Sequence, residues 1–144
     1  MNAYSSNYLN QQITTASPEQ ILIMLYDGAL RFLAQAGTAI EQRQVEQRNH
    51  YIGKVSNIIT ELSATLDHEV GGQIADDLAA LYDFMLRELH RANIKNDMQA
   101  LATVEHLLTD LRETWVQAID IARHANMTSP PAGSGAYRPL SVAL

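Results

Sequence analysis

The chain has 144 residues, of which 47% are hydrophobic, and its formal net charge at pH 7 is −6. This length and hydrophobic content suffice for one domain with a buried core, so wholesale disorder is excluded. The acidic balance argues against nucleic acid as the main partner. The absence of cysteine excludes disulfides, thiolate metal sites and a cysteine nucleophile.

The amino-terminal segment, MNAYSSNYLNQQITT, has neither the basic region nor the apolar region of a signal peptide. An uninterrupted apolar run of about 18 residues, which a membrane-spanning helix needs, does not occur in the sequence. The lack of cysteine also suits a reducing compartment. We therefore expect a cytoplasmic protein that does not insert stably into a membrane.

The first predicted helix has a well-marked start. Ser17 is a favourable N-cap, Pro18 fits the first helical position, and Gln20 completes a capping box. Apolar residues then recur in alternating steps of four and three, which is the spacing of one buried helical face. This row consists of Leu22, Tyr26, Ala29, Leu33, Ala36 and Ile40. The polar segment EQRQVEQR at 41–48 predicts a turn.

Two further helices are predicted on either side of the glycine pair at 71–72, which indicates the strongest break in the middle of the chain. The second helix has one apolar face, formed by Ile52, Val55, Ile59, Leu62 and Leu66. The third helix has a face formed by Ile74, Leu78, Leu81, Tyr82, Met85, Leu89 and Ala92. Both faces are expected to be buried because both patterns have the helical period.

The fourth helix follows the short turn ANIKND at 92–97, where Asn96 or Asp97 is the expected N-cap. Its apolar positions keep an unbroken heptad spacing, which is typical of a helix that packs along its whole length. This seam consists of Leu101, Val104, Leu108, Leu111, Trp115, Ala118 and Ala122.

Four long helices with short connections pack most simply as an antiparallel four-helix bundle, so we predict an all-α fold. The bundle is expected to comprise residues 17–126. Residues 1–16 are predicted to form an arm that packs on the bundle, because they have apolar side chains to bury. Residues 127–144 are rich in Pro, Gly and Ser and are predicted to be a disordered tail.

The first helix carries more apolar surface than one buried face needs. On a helical wheel its apolar arc spans roughly 200°, whereas a surface helix needs about 100°. The residues beyond the main row are Ile23 and Leu30 on one side, Ile21, Leu25 and Phe32 on the other, and Met24 toward solvent. One interpretation is that this helix is simply the most buried of the bundle. The other is a groove for an apolar partner segment, with Tyr4, Tyr8 and Ile13 of the arm as its lid.

Patterns for catalysis or metal binding are not found in the sequence. The five histidines are dispersed, without the Glu-x-x-His pairs of di-iron bundles and without a zincin motif. Two pairs at i,i+4 spacing, His106 with Asp110 and Asp120 with His124, are expected to be solvated. The glycines of GSG at 133–135 lie in the tail and do not form a phosphate-binding loop. We therefore predict that the protein is not an enzyme and has no metal site or cofactor.

One side of the third helix carries Arg87, Arg91 and Lys95 at four-residue spacing. Cations toward the carboxyl end of a helix stabilise its dipole, which favours a solvated face over a docking site. A docking role stays open as the less favoured interpretation.

Four sequence blocks resemble a known family. They are ASPEQILIMLYDGALRFL (16–33), LDHEVGGQIADDLAALYDFM (66–85), ANIKND (92–97) and LLTDLRETWVQAI (107–119). In their order and spacing they are similar to the flagellin export chaperone family, FliS, over roughly residues 4–125. The Pro-rich tail after Met127 has no counterpart in the family pattern.

The resemblance implies a small antiparallel helical bundle in the bacterial cytosol that binds newly made flagellin. Members hold the disordered C-terminal segment of flagellin, prevent its premature polymerisation and deliver it to the flagellar type III export apparatus. Their amino-terminal arm covers part of the binding surface when flagellin is absent. The family has a tyrosine ahead of the Ser-Pro helix start, and Tyr4 and Tyr8 are both candidates for it.

The candidate partner-binding residues lie on the arm, the first helix and the third helix. They are Tyr4, Tyr8, Ile13, Ile21, Ile23, Met24, Asp27, Leu30, Tyr82, Met85 and Leu86. The expected function is that of a chaperone for flagellin. Two alternatives stay open: a regulatory binding module for another flagellar protein, such as an anti-sigma factor, and a ligand- or metal-carrying helical bundle. Homodimer formation also stays open.

Overall fold

The structure, a computed structural model, describes residues 16–126 and is built from α-helices throughout that range. The helices are α1 (Pro18–Glu41), α2 (Val45–Ala64), α3 (His68–Lys95) and α4 (Met98–Asn126). The predicted all-α fold is therefore confirmed. The predicted arm and tail lie outside the described residues.

The four helices form a closed ring of neighbours. Helix α1 packs against α2 and α4, and α3 packs against the same two helices on the other side of the core. Connections of two or three residues join successive helices. Because such short connections reverse the chain direction, the helices alternate in direction around the bundle.

The apolar rows predicted for the first two helices are confirmed. Every member of both rows is buried, from Leu22 in the first turn of α1 to Leu66 just after α2. Helix α1 also begins as predicted, because the Ser17 hydroxyl accepts the Gln20 amide at 3.2 Å and the Gln20 side chain accepts the Ser17 amide at 3.0 Å. Burial of each large apolar side chain stabilises the fold by about 1.5–3 kcal/mol.

The start of α3 differs from the prediction. The helix begins at His68, before the glycine pair, because the Asp67 carboxylate caps its first turn. The chain then kinks at Gly72, whose φ of 50° and ψ of −126° suit a residue without a side chain. Beyond the kink, Ile74, which was predicted for the core row, is 64% exposed, and Ala75 is buried.

The turn between α3 and α4 shows which of Asn96 and Asp97 is the N-cap of α4. Asn96 ends α3 in the left-handed conformation, with a φ of 51°. Asp97 begins α4, since its Oδ1 accepts the amides of Gln99 at 3.0 Å and Ala100 at 3.2 Å. Arg48 of α2 donates to the Asn96 side chain at 2.6 Å, which ties this turn to the neighbouring helix.

The predicted seam of α4 is buried over only part of its length. Leu101, Val104 and Leu108 are buried in the core. From there the burial declines: Leu111 and Trp115 are half-buried, and Ala118 is exposed. The amino-terminal half of α4 therefore belongs to the core, and its carboxyl-terminal half packs more loosely beside the start of α1.

Candidate binding groove between the first and last helices

A groove of about 710 Å³ lies where the start of α1 meets the end of α4. Its walls are formed by Ala16, Glu19, Gln20, Ile23 and Met24 on one side and by Val116, Gln117, Ile119, Asp120 and Arg123 on the other. Apolar side chains from both helices face polar side chains along the same groove. An apolar floor with a polar rim is the usual character of a surface that binds a peptide segment.

The size of the seam side chains changes along α4. Up to Trp115 the seam positions hold large side chains, which pack against the core. The next two seam positions hold Ala118 and Ala122, while the neighbouring positions Val116 and Ile119 line the groove. Heptad spacing therefore continues to the end of α4, but large seam side chains do not.

An ion pair joins α1 and α4 about one helical turn from the residues that line the groove. Arg112 of α4 donates from Nε to Oδ1 of Asp27 on α1, and its Nη2 lies 3.4 Å from Oδ2. The Arg112 and Asp27 side chains are 35% and 38% exposed. The hydrogen bond to Asp27 raises the pKa of Arg112 above its usual value, partly offset by burial.

Behind the ion pair, three aromatic side chains connect three helices through hydrogen bonds. The hydroxyl oxygens of Tyr26 on α1 and Tyr82 on α3 lie 2.5 Å apart, and both side chains are fully buried. The indole Nε1 of Trp115 on α4 donates to the Tyr26 hydroxyl at 3.2 Å. These directional contacts fix the position of α4 just before the groove begins.

Comparison with known proteins identifies the family. The family model described as "Flagellar protein FliS" matches residues 1–122. This chain belongs to the FliS family. The resemblance drawn from the four sequence blocks is therefore confirmed, and the match ends before the Pro-rich tail.

Curated relatives carry the name flagellar secretion chaperone FliS. The protein from Bacillus subtilis is 41% identical over 122 residues, which cover 85% of this chain and 90% of the relative. The protein from Salmonella typhimurium is 42% identical over 118 residues, covering 81% and 87%. A crystal structure of a bacterial flagellar chaperone superposes with a TM-score of 0.67 at 17% identity, covering 81% of this chain and 95% of that one. That likeness supports the fold.

Two of the predicted binding residues of this FliS chain, Ile23 and Met24, line the groove. Asp27 lies about one helical turn beyond them and is bonded to Arg112. Leu30 lies one turn further along α1, where it is half-buried against the core. The predicted arm residues Tyr4, Tyr8 and Ile13 lie outside the described residues.

Four other predicted residues lie away from the groove. Ile21, Tyr82 and Met85 are buried, because each faces the bundle interior rather than an outer edge. Leu86 of α3 is half-buried and lines a separate pocket of about 490 Å³. The other residues that line this pocket are Arg87, His90, Arg91, Ile94 and Lys95. A direct role of these four residues in partner binding stays a prediction.

Sequence reasoning missed the contribution of α4 to the groove. Val116 and Ile119 follow the predicted seam by one residue each, so they extend its apolar surface toward α1. Arg112 flanks the seam opposite an acidic residue of α1, a pattern that marks an interhelical ion pair in coiled coils. That charge pattern is the signal that points to Arg112.

The remaining polar groups of the described segment resemble a solvated surface. The pairs His106–Asp110 and His124–Asp120 are both exposed, with 3.2 and 3.6 Å between the imidazole nitrogen and the carboxylate oxygen. The closer contact of His124 Nδ1 is with the backbone carbonyl of Asp120, at 2.8 Å. Between residues 16 and 126, no group of three or more His, Asp or Glu side chains is arranged to hold a metal ion. Over the same segment, no helix is long and apolar enough to cross a membrane.

Proposed function

We propose that this chain is a cytoplasmic flagellar secretion chaperone that binds the disordered C-terminal segment of flagellin. In this role it prevents premature polymerisation of flagellin and delivers it to the flagellar type III export apparatus. The name shared by the curated relatives supports the chaperone role. The observation that carries the binding role is the groove between α1 and α4, with its apolar floor and polar rim.

Binding in this groove requires no chemical step. Ile23, Met24, Val116 and Ile119 provide apolar surface for the side chains of a bound segment, and the rim keeps its backbone in contact with polar groups. A disordered segment becomes ordered as it binds, so part of the interaction free energy offsets the lost chain entropy. The chaperone therefore acts by stoichiometric binding, without catalysis or nucleotide.

The amino-terminal arm is proposed as the lid of this groove. Ala16, the first described residue and the last residue of the predicted arm, lines the groove. Tyr4, Tyr8 and Ile13 supply the apolar side chains that a lid needs. If the arm and the partner compete for one surface, only molecules with an open lid bind the partner. The apparent affinity for the partner is then lowered according to the fraction of molecules with a closed lid.

The test of this function is calorimetry with a peptide of the flagellin C-terminal segment. We expect binding with a large negative heat-capacity change, because the segment orders and buries apolar surface as it binds. Co-purification from the native cytosol is the complementary experiment and should recover flagellin. Recovery of another flagellar protein in its place, with no binding of the flagellin peptide, would contradict the proposal.

A further inference from the structure

The rim of the groove carries more acidic than basic side chains. Among the residues that line it, Glu19 of α1 and Asp120 of α4 are acidic, and Arg123 is basic. The floor between these side chains is apolar. A segment that complements this groove therefore combines apolar side chains with a positive charge.

The sequence that follows the bundle divides into two parts of different character. Residues 127–136, MTSPPAGSGA, consist mainly of Gly, Pro, Ser and Ala, a composition typical of linkers. Residues 137–144, YRPLSVAL, contain four large apolar or aromatic side chains, and their only charged residue is Arg138. These four are Tyr137, Leu140, Val142 and Leu144. The second part therefore has the chemistry that complements the groove.

The length of the linker suits the distance that it has to cover. Ile119, which lines the groove, precedes Asn126, the last residue of α4, by seven residues, or about 10 Å along the helix axis. A ten-residue linker of this kind has an expected r.m.s. end-to-end distance of about 17 Å. It is therefore long enough to return residues 137–144 to the groove and short enough to keep them near it.

Attachment to the same chain makes even a weak interaction effective. For a short linker whose length matches the span, the effective concentration of the attached segment is in the millimolar range. A segment whose dissociation constant as a separate peptide is about equal to that concentration would occupy about half of the grooves.

The tail differs from the amino-terminal arm in its charge. Residues 1–15 contain no Lys, Arg, Asp or Glu, so the arm offers no cation to the acidic rim, whereas the tail offers Arg138. The match to the family model ends at residue 122, so the tail lies outside the part of the chain that defines the family.

We propose that residues 137–144 bind in the groove between α1 and α4 of their own chain, with Arg138 at the acidic rim and the apolar side chains on the floor. The bound tail then competes with a partner segment and lowers the apparent affinity for it. This regulation rests on the proposed function, whereas occupancy of the groove by the tail does not.

A spin label on the tail tests this occupancy without any partner. The native chain has no cysteine, so Ser141→Cys in the full chain provides one site for a nitroxide. We expect selective broadening of the amide signals of groove residues such as Met24 and Ile119, whereas the signal of Val45, at the opposite end of the bundle, should stay sharp. Absence of broadening, or broadening centred away from the groove, would overturn the proposal.

A matched pair of tail variants tests which contacts hold the tail. Leu140→Asp in the labelled chain should abolish the broadening, because a carboxylate would be desolvated on the apolar floor and repelled by Glu19 and Asp120. Ser134→Asp places the same charge in the linker and should leave the broadening unchanged. Broadening that survives Leu140→Asp would contradict these contacts.

A mixed sample separates binding within one chain from binding between chains. With the spin label and the isotope label on different molecules, we expect no broadening. Broadening in this sample equal to that in the doubly labelled chain would mean that the tail binds a second copy, and it would overturn the intramolecular contact.

Titration with the flagellin C-terminal segment measures the competition. Leu140→Asp should bind at least about threefold more tightly than the native chain, which corresponds to a tail that closes at least about two thirds of the grooves. Ser134→Asp should bind like the native chain. Equal affinities of all three chains would overturn the competition and leave the proposed function intact. If none of them binds flagellin, the proposed function and the competition both fail, and occupancy by the tail is decided by the spin label alone.

Discussion

Helix α1 has two seams, and they differ in how completely they are filled. Against α2, it meets a row in which Ile52, Val55, Ile59 and Leu62 are all buried. Against α4, it meets large side chains only as far as Trp115, after which the seam positions hold alanine. One seam is therefore buried along its length, and the other leaves apolar side chains that line an open groove.

The comparison explains the unusually wide apolar arc of α1. Most of the arc is buried by the bundle, as the first interpretation of the arc expects, and a short stretch lines the groove. That a partner binds this stretch, which is the second interpretation, stays a prediction. Ile23 and Met24 belong to this stretch, and Val116 and Ile119 of α4 line the groove with them.

The largest expected effect contrasts two isoleucines. Ile59→Ala, in the filled seam, should lower the free energy of unfolding by about 2–5 kcal/mol, because a fully buried side chain leaves a cavity. Ile119→Ala, in the groove, should lower it by less than about 1 kcal/mol. Urea denaturation of both variants measures the difference. Equal losses would contradict the distinction between the two seams.

A second prediction concerns the buried hydrogen bond between Tyr26 of α1 and Tyr82 of α3, which continues to Trp115 of α4. Tyr82→Phe removes one hydroxyl from the buried pair with Tyr26 and should cost about 1–3 kcal/mol of unfolding free energy. Tyr51→Phe, which alters a half-buried ring on α2, is the control and should change stability by less than about 0.5 kcal/mol. Thermal unfolding of both variants decides the point, and similar stabilities would argue against a structural role for the pair.

Two glycines should respond to alanine with opposite signs. Gly72→Ala should destabilise by about 1 kcal/mol, because its φ of 50° lies in the left-handed region that glycine favours. Gly53→Ala should stabilise by about 0.5–1 kcal/mol, since Gly53 lies inside α2 and no atom within 4 Å obstructs a Cβ. The midpoint of urea unfolding reports both changes. Stabilisation by Gly72→Ala would remove the physical reason given for the kink in α3.

The smallest expected effect on stability is that of the ion pair between Asp27 of α1 and Arg112 of α4. Asp27→Asn should lower the free energy of unfolding by no more than about 1 kcal/mol, because both side chains are over a third exposed and water screens the pair. Measurements at low and high salt should show that this small loss shrinks as salt is added. A loss of several kcal/mol would mean that the pair supports the bundle itself.

The sequence predicted the helices and most of the core, and its failures have physical causes. Periodicity identifies which face of a helix is apolar, so the rows of α1 and α2 were correct. It does not measure side-chain volume, so the alanine positions of α4 were counted as seam although they leave space. Periodicity also does not predict whether a helix begins at a capping residue or after a glycine pair. The Asp67 carboxylate caps α3, so the helix begins before Gly72.

The groove was harder to predict than the core because it depends on two helices that are far apart in sequence. The wheel of α1 identified Ile23 and Met24 but gave no information about the residues that face them. Tyr82 and Met85 were predicted to bind a partner, yet their places in the α3 row already implied burial.

The central claim is that the partner binds between α1 and α4, and a matched pair of valines tests it most directly. Val116 lies in the groove and is 40% exposed, whereas Val45 lies at the opposite end of the bundle and is 55% exposed. Affinity for the flagellin C-terminal segment should fall at least tenfold in Val116→Asp, because a carboxylate would be desolvated against the apolar floor. Val45→Asp should bind like the native chain. Equal affinities of the two variants, with both folded, would contradict the account.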